Sequence, residues 1–270
     1  MTPHSSMYGP LQRRYIENTM ISQKSNQIRM MEQSCRLAAT ALSWAGTLVK
    51  PGVTTDEIDA AVHDYLLTRE ATPSTLNYHG FPKSCCISVN DVVCHGVPSS
   101  YKLQSGDLVN IDITCNKGGF HGDTSATFYV GKVNDEQRKL TECAHAAMME
   151  GISILSPKKR TGDVGHAIEN FVKKKNFYIV HEIGGHGIGE NFHEDPFVPS
   201  WGKKNTGEFF TPWKCITVEP IISETNSPLV SHLIPNSDIE YFTTLDHCLS
   251  AQFEHTILIT DKGHEVLTAW

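Results

Sequence analysis

Four acidic residues stand inside runs of apolar, strand-forming residues, and this placement constrains the chain more than any other feature. Asp112 lies within Val109-Asn110-Ile111-Asp112-Ile113, and Asp123 within His121-Gly122-Asp123-Thr124. Glu219 lies within Ile216-Thr217-Val218-Glu219-Pro220-Ile221, and Glu254 within Ala251-Gln252-Phe253-Glu254-His255-Thr256-Ile257. A carboxylate withdrawn from water is costly unless a positive charge meets it. Alternation puts Val109, Ile111 and Ile113 on one face of a strand, and Asn110, Asp112 and Thr114 on the other. A hairpin turning at Lys117-Gly118-Gly119 folds Asp123 back beside Asp112. Any one of these acids can equally be read as an edge-strand carboxylate facing water, but four in one chain weaken that reading.

His186, in Gly184-Gly185-His186-Gly187-Ile188-Gly189, adds a nitrogen donor. A lone histidine is usually structural and a glycine-rich loop usually a turn. Here the glycines clear space around a side chain that belongs with four acids. Asp112, Asp123, His186, Glu219 and Glu254 offer more donors than one small ion needs. They suit a cage for two divalent ions about 3.5–4 Å apart. The oxygen-rich set fits Co, Mn, Fe or Zn and excludes a thiolate zinc site, while the imidazole argues against Mg. Two such ions lower the pKa of a water between them. The residues alone therefore indicate a dinuclear hydrolase, with peptide, phosphoester and amide substrates all open. His193, in Phe192-His193-Glu194, could donate to a developing oxyanion. His95, in Cys94-His95-Gly96, and His79, in Tyr78-His79-Gly80, are either substrate contacts or packed loop residues.

The 270 residues, 39% of them hydrophobic and 20% charged, suit one large or two small globular domains. A net charge of -7 gives no basic excess for nucleic acid. No apolar run reaches the roughly 18 residues of a membrane span. The 8 cysteines form no CxxC pair. A chain this large does not need disulfides, so reduced thiols in a cytosol-like compartment are expected. Residues 1–16 carry Arg13 and Arg14, no acid and no long apolar stretch. An organellar targeting segment and a cytosolic tail both stay open.

Residues 1–28 read as a flexible arm with a short helix at most, leaving 29–270 as a single catalytic domain. Apolar spacing predicts a helix from Arg29 to about Val49, stopped by Pro51-Gly52. Thr54 and Glu57 form a capping box ahead of a second helix with the stripe Ile58, Ala61, Val62 and Tyr65. Strand pairs follow over 85–89 with 92–95 and over 108–114 with 121–130. Helices are expected over 135–155 and 162–175, and strands near 177–183, 216–222 and 252–260. An offset of 106 residues pairs Pro51 with Pro157, Thr55 with Thr161, Ile58 with Val164 and Val62 with Ile168. The matching order of elements predicts an α+β protein of two similar αβ halves around a shared antiparallel sheet, with the site at their junction. An α+β protein without duplication is the alternative.

Several segments, in order, resemble the type I methionine aminopeptidases, over roughly residues 30–268. They are Asn77-Tyr78-His79-Gly80-Phe81-Pro82-Lys83-Ser84, Asn90-Asp91-Val92-Val93-Cys94-His95-Gly96, Asn110-Ile111-Asp112-Ile113, His121-Gly122-Asp123-Thr124, Gly185-His186-Gly187-Ile188-Gly189, Thr217-Val218-Glu219-Pro220 and Ser250-Ala251-Gln252-Phe253-Glu254-His255-Thr256. The resemblance implies the pita-bread fold, two pseudo-symmetric αβ halves around a curved antiparallel sheet with helices outside. It implies removal of N-terminal methionine from nascent proteins and peptides when the second residue is small. Asp112, Asp123, His186, Glu219 and Glu254 match the metal ligands, Glu219 also the proton shuttle. His193 matches the histidine that stabilises the tetrahedral intermediate, His95 the one on the scissile backbone, and His79 one at the mouth. Thr75, Tyr78, Phe81, Cys86 and Phe192 match the methionine pocket. Asn90, Val92 and Ser250 match a monovalent cation site.

The chain departs from the family in three places. Glu240 falls where many members carry a lid tryptophan, with Tyr241 and Phe242 adjacent; Thr75 replaces a frequent cysteine; and Pro212-Trp213 replaces Pro-Gly. The family further implies a monomer acting near the ribosome in the cytoplasm or an organelle, with no direct nucleic-acid or membrane partner. Rival readings are another pita-bread aminopeptidase of altered specificity and a non-catalytic binding relative; such relatives tend to lose ligands, and this chain keeps all five.

Overall fold

The computed structural model describes residues 10–269. Helix α1 spans Pro10–Gly46, α2 Thr55–Leu67, α3 Asp135–Ser153 and α4 Thr161–Lys173. α1 begins well before Arg29, so the arm expected over 1–28 is helical from Pro10 on; residues 1–9 lie outside the described residues. Its buried stripe, Met31, Cys35, Ala38, Leu42 and Ala45, recurs at helical spacing. The stripe lies directly on strand backbone: a Cβ added at Gly122 would come 2.4 Å from Cys35 N. Glycine at that position lets the helix press against the strand that carries Asp123.

The 106-residue offset is visible in three dimensions. α2 and α4 are both 13 residues long and begin at Thr55 and Thr161. Before each, an acid in the first turn takes the cap residue's N–H: Glu57 from Thr54 at 2.7 Å, and Asp163 from Arg160 at 2.8 Å. Ile58, Val62 and Leu66 are buried in one, Val164, Ile168 and Val172 in the other. Thr55 N donates to Tyr101 O at 3.2 Å, and Thr161 N to Glu208 O at 2.9 Å, so both helices start from the same kind of loop contact.

Strand Leu108–Lys117 pairs antiparallel with Phe120–Tyr129 along its whole length, and with Cys86–Val89 on its other edge. In the second half, Cys215–Val218 runs antiparallel between Gly185–Ile188 and His255–Ile259. The halves join at Ser125 and Glu254, where Glu254 N donates to Ser125 O at 3.0 Å. Asn110 Nδ2 and Thr127 Oγ1 both donate to Gln252 O, at 3.0 and 2.9 Å. Val109, Ile111 and Ile113 turn away from this junction into one large core shared with all four of these helices.

Three sequence expectations change. Cys86–Val89 and Val92–Cys94 flank the Asn90-Asp91 turn but form no ladder together; the second pairs with Glu240–Thr244. The strand expected near 177–183 shortens to Tyr178–Ile179. The strands expected over 216–222 and 252–260 each break at their acid. Cys215–Val218 gives way to Ile221–Ser223, and Ser250–Gln252 to His255–Ile259. The four pieces pair crosswise, Cys215–Val218 with His255–Ile259 and Ile221–Ser223 with Ser250–Gln252. Glu219 and Glu254 therefore occupy the same break, where Pro220 has no N–H to continue a ladder. Among the described residues no helix is long and apolar enough to cross a membrane.

Candidate metal centre and substrate cavity

Asp112 and Asp123 share one face of the hairpin, but not as a directly opposed pair. Asp112 faces Ser125 and Asp123 faces Thr114, which makes the two acids diagonal neighbours. Thr114 Oγ1 donates to Asp123 Oδ1 at 2.7 Å and fixes that carboxylate. Glu219 is held at both oxygens, by Thr217 Oγ1 at 2.8 Å and Gln252 Nε2 at 3.1 Å. Thr217 Oγ1 also accepts the backbone N–H of His186 at 2.9 Å, so one hydroxyl ties the Glu219 carboxylate to the strand that carries His186.

His186 completes the group with a defined tautomer. Its Nδ1 lies 2.9 Å from Gly187 O, and a carbonyl can only accept, so Nδ1 carries the proton. Nε2 then presents a bare lone pair to Asp123 Oδ2 at 3.8 Å and Glu219 Oε1 at 3.7 Å. Donor atoms of Asp123, His186 and Glu254 all lie within 4.8 Å of one another. Asp123 and Glu254 are 4% and 2% exposed, and Glu254 Oε1 is a buried oxygen with no hydrogen-bond partner.

Lone pairs aimed at one another in a dry site repel. Burial raises every carboxyl of the group: Asp123 to about 7, Glu219 to about 8, Asp112 and Glu254 well above the ordinary range. Repulsion from Asp123 adds to the rise at Asp112, Glu219 and Glu254. Protons or cations must neutralise such a group. The imidazole with a bare Nε2 and the orphaned oxygen of Glu254 fit divalent cations, with Thr114, Thr217, Gln252 and the Gly187 carbonyl orienting the ligands from behind.

The five side chains line one end of a cavity of about 430 Å³. Thr75, Tyr78, Phe81, Cys86, Phe192, His95 and His193 also line it. His79 does not: its ring packs edge-on against Tyr78, with centroids 4.5 Å apart, outside the lining residues. His95 Nδ1 lies 2.9 Å from Glu240 O and so donates to it, leaving Nε2 as an acceptor. His193 Nδ1 lies 2.8 Å from the Tyr78 hydroxyl. Loss of surrounding water, then the neighbouring His186, His95 and His121 rings, push His193 down to about 3, so it is neutral near pH 7. Ser250 Oγ lies 3.4 Å from the carbonyl oxygens of both Asn90 and Val92.

Several lining residues were not singled out from sequence. Ile239 and Phe197 are among them; of the two aromatics named beside Glu240, Phe242 lines the cavity, while Tyr241 stacks on His232, centroids 4.6 Å apart. At the mouth, Phe197 is 51% exposed, and a Cβ at Gly184 would come 2.8 Å from its ring. Glycine at 184 makes room for that ring rather than serving a left-handed backbone. Thr217 and Gln252 were legible in principle, since each stands two residues before a ligand acid on the same strand face.

Residues 29–261 match the model of metallopeptidase family M24. The chain is 40% identical to a methionine aminopeptidase of Rickettsia prowazekii, over 88% of this chain and 91% of that one. It is 43% identical to methionine aminopeptidase 1b of Plasmodium falciparum over 90% of its own length, and spans 47% of that longer relative. The crystal structure of a methionine aminopeptidase from Rickettsia prowazekii superposes with a TM-score of 0.87 at 39% identity, covering 91% of this chain and 98% of the other. Fold and donor set together define a metallopeptidase, and the chain belongs to metallopeptidase family M24.

Proposed function

We propose that this chain hydrolyses the first peptide bond of peptides and nascent proteins that begin with methionine followed by a small residue. Two divalent ions, Co, Mn, Fe or Zn, would be held by Asp112, Asp123, His186, Glu219 and Glu254. The observation that carries this reading is the bare Nε2 of His186 facing buried carboxylates at the end of an apolar-walled cavity. When bound, the ions supply an activated water and polarise the carbonyl it attacks.

The protein's own groups divide the remaining work. Thr75, Tyr78, Phe81, Cys86 and Phe192 receive the methionine side chain, and their apolar walls turn away charged side chains through desolvation. With the Tyr78 hydroxyl donating to Nδ1, His193 keeps its proton on Nε2 and donates it to the carbonyl oxygen as that oxygen gains charge. His95 Nε2, an acceptor, takes the N–H of the substrate backbone. Glu219, held by Thr217 and Gln252, carries a proton to the departing amine nitrogen. Ser250 Oγ with the carbonyls of Asn90 and Val92 would hold a monovalent cation nearby.

With Mn²⁺ or Co²⁺ the protein is expected to release Met from Met-Ala-Ser, to act far more slowly on Met-Leu-Ser, and to leave acetyl-Met-Ala-Ser intact. Mass spectrometry of the products checks this; equal cleavage of the acetylated peptide contradicts a free-amine exopeptidase. A further expectation concerns the lid. Phe242→Ala should lower the preference for Met over Leu about tenfold, through a lost wall of the pocket. Tyr241→Ala, whose ring packs behind Phe81 and Cys86 without lining the cavity, should change the preference less than Phe242→Ala does. Steady-state kcat/KM on paired peptides decides, and the reverse ranking would move the lid to Tyr241.

A further inference from the structure

Thr75 carries a hydroxyl that the fold itself does not use. Tyr78 N donates to Thr75 O at 3.0 Å, so a turn fixes the backbone here. The residue is 7% exposed and lines the cavity. Its Oγ1 has no hydrogen-bond partner. Phe81, Phe192 and Ile239 line the same cavity, and the Tyr78 hydroxyl already meets His193. The buried Cys86 thiol is a weak acceptor. Valine would fill the same volume without burying an unpaired hydroxyl, which costs free energy. A hydroxyl kept in such a place points to an acceptor that arrives with the substrate.

Resting on the aminopeptidase reading above, we propose that Thr75 is a specificity-determining residue whose Oγ1–H donates to the thioether sulfur of the substrate methionine. Sulfur is the only atom of that side chain able to accept a hydrogen bond. Norleucine has nearly the same shape with a methylene in its place, and leaves the hydroxyl unpaired. Sulfur–aromatic contact with Tyr78, Phe81 and Phe192 also favours methionine, so the share of the hydroxyl is the part of the preference that its removal takes away.

The test compares Met-Ala-Ser with norleucyl-Ala-Ser on the Mn²⁺-loaded protein. The wild type is expected to favour Met about fivefold in kcat/KM, a modest ratio because sulfur is a weak acceptor. Thr75→Val should lower that ratio severalfold, read within each protein so that any general loss of turnover cancels, and Thr75→Ser, which retains the hydroxyl, should keep it. Competitive inhibition by free L-methionine and L-norleucine should shift in parallel, which reads binding apart from turnover. An unchanged ratio in Thr75→Val at full metal content overturns the proposal. So does a wild type that cleaves both peptides equally, whatever the variants do. A wild type that cleaves neither peptide overturns the aminopeptidase reading and this proposal with it.

Discussion

Protein freed of divalent ions by excess EDTA is expected to release methionine from Met-Ala-Ser at least ~10³-fold more slowly than protein supplied with Mn²⁺ or Co²⁺. It should also melt at a lower temperature. The reason lies in the donor group: Asp112, Asp123, Glu219 and Glu254 crowd a dry site with one neutral imidazole, and among the described residues no Lys or Arg pairs with them. An ion that binds this folded group and not the unfolded chain stabilises by about 2.7 kcal/mol at a hundred times its Kd. Without metal, the carboxyls hold protons more tightly in the folded state than in the unfolded one, where they titrate near pH 4. The metal-free fold therefore gains stability from these groups below about pH 4. That gain is lost as pH rises through about 7 at Asp123 and about 8 at Glu219. Metal takes the place of those protons, so the rise in Tm on adding Mn²⁺ should be larger at pH 8 than at pH 6. Differential scanning calorimetry with elemental analysis measures both quantities. Full activity in protein shown to contain no metal would falsify the dinuclear reading, and an equal Tm shift at both pH values would contradict proton displacement.

Local pattern carried much of this site. The hairpin of Asp112 and Asp123 was legible because period-two alternation and a double-glycine turn fix register within about twenty residues of chain. The helices α2 and α4 were legible because a capping acid and an apolar stripe are local signals, and their shared offset made the duplication visible. The breaks at Glu219 and Glu254 were not legible. Glu254 lies in an unbroken β-prone run and Glu219 has only Pro220 beside it as a local signal; the crosswise pairing of the four strand pieces makes the chain leave one ladder and join another. The choice between Tyr241 and Phe242 was hidden for a related reason. Adjacent strand residues face opposite ways, and which faces the cavity depends on pairing with Val92–Cys94, far away in sequence and marked by a register shift. The full extent of α1 escaped because residues 10–28 lack apolar periodicity.

His193→Ala is expected to lower kcat by about 10²–10³-fold, the usual cost of losing one donor to a developing oxyanion. KM and bound metal should change little. Two observations separate this role from that of a metal ligand. His193 stacks on Phe192 with centroids 4.2 Å apart and meets the Tyr78 hydroxyl through Nδ1, so its position does not depend on the acids. Its ring stands 4.3 Å from that of His186, close enough to act on the same substrate carbonyl without taking a coordination place. Tyr78→Phe should cost much less, about fivefold, since it only frees the His193 tautomer and leaves the donor in place. Double replacement should then be no worse than His193→Ala alone, because Tyr78 is assigned to act through His193. Elemental analysis beside steady-state kinetics distinguishes the roles. If His193→Ala lost metal in proportion to activity, His193 would belong to the cage, and the oxyanion donor would have to be sought among the other cavity residues.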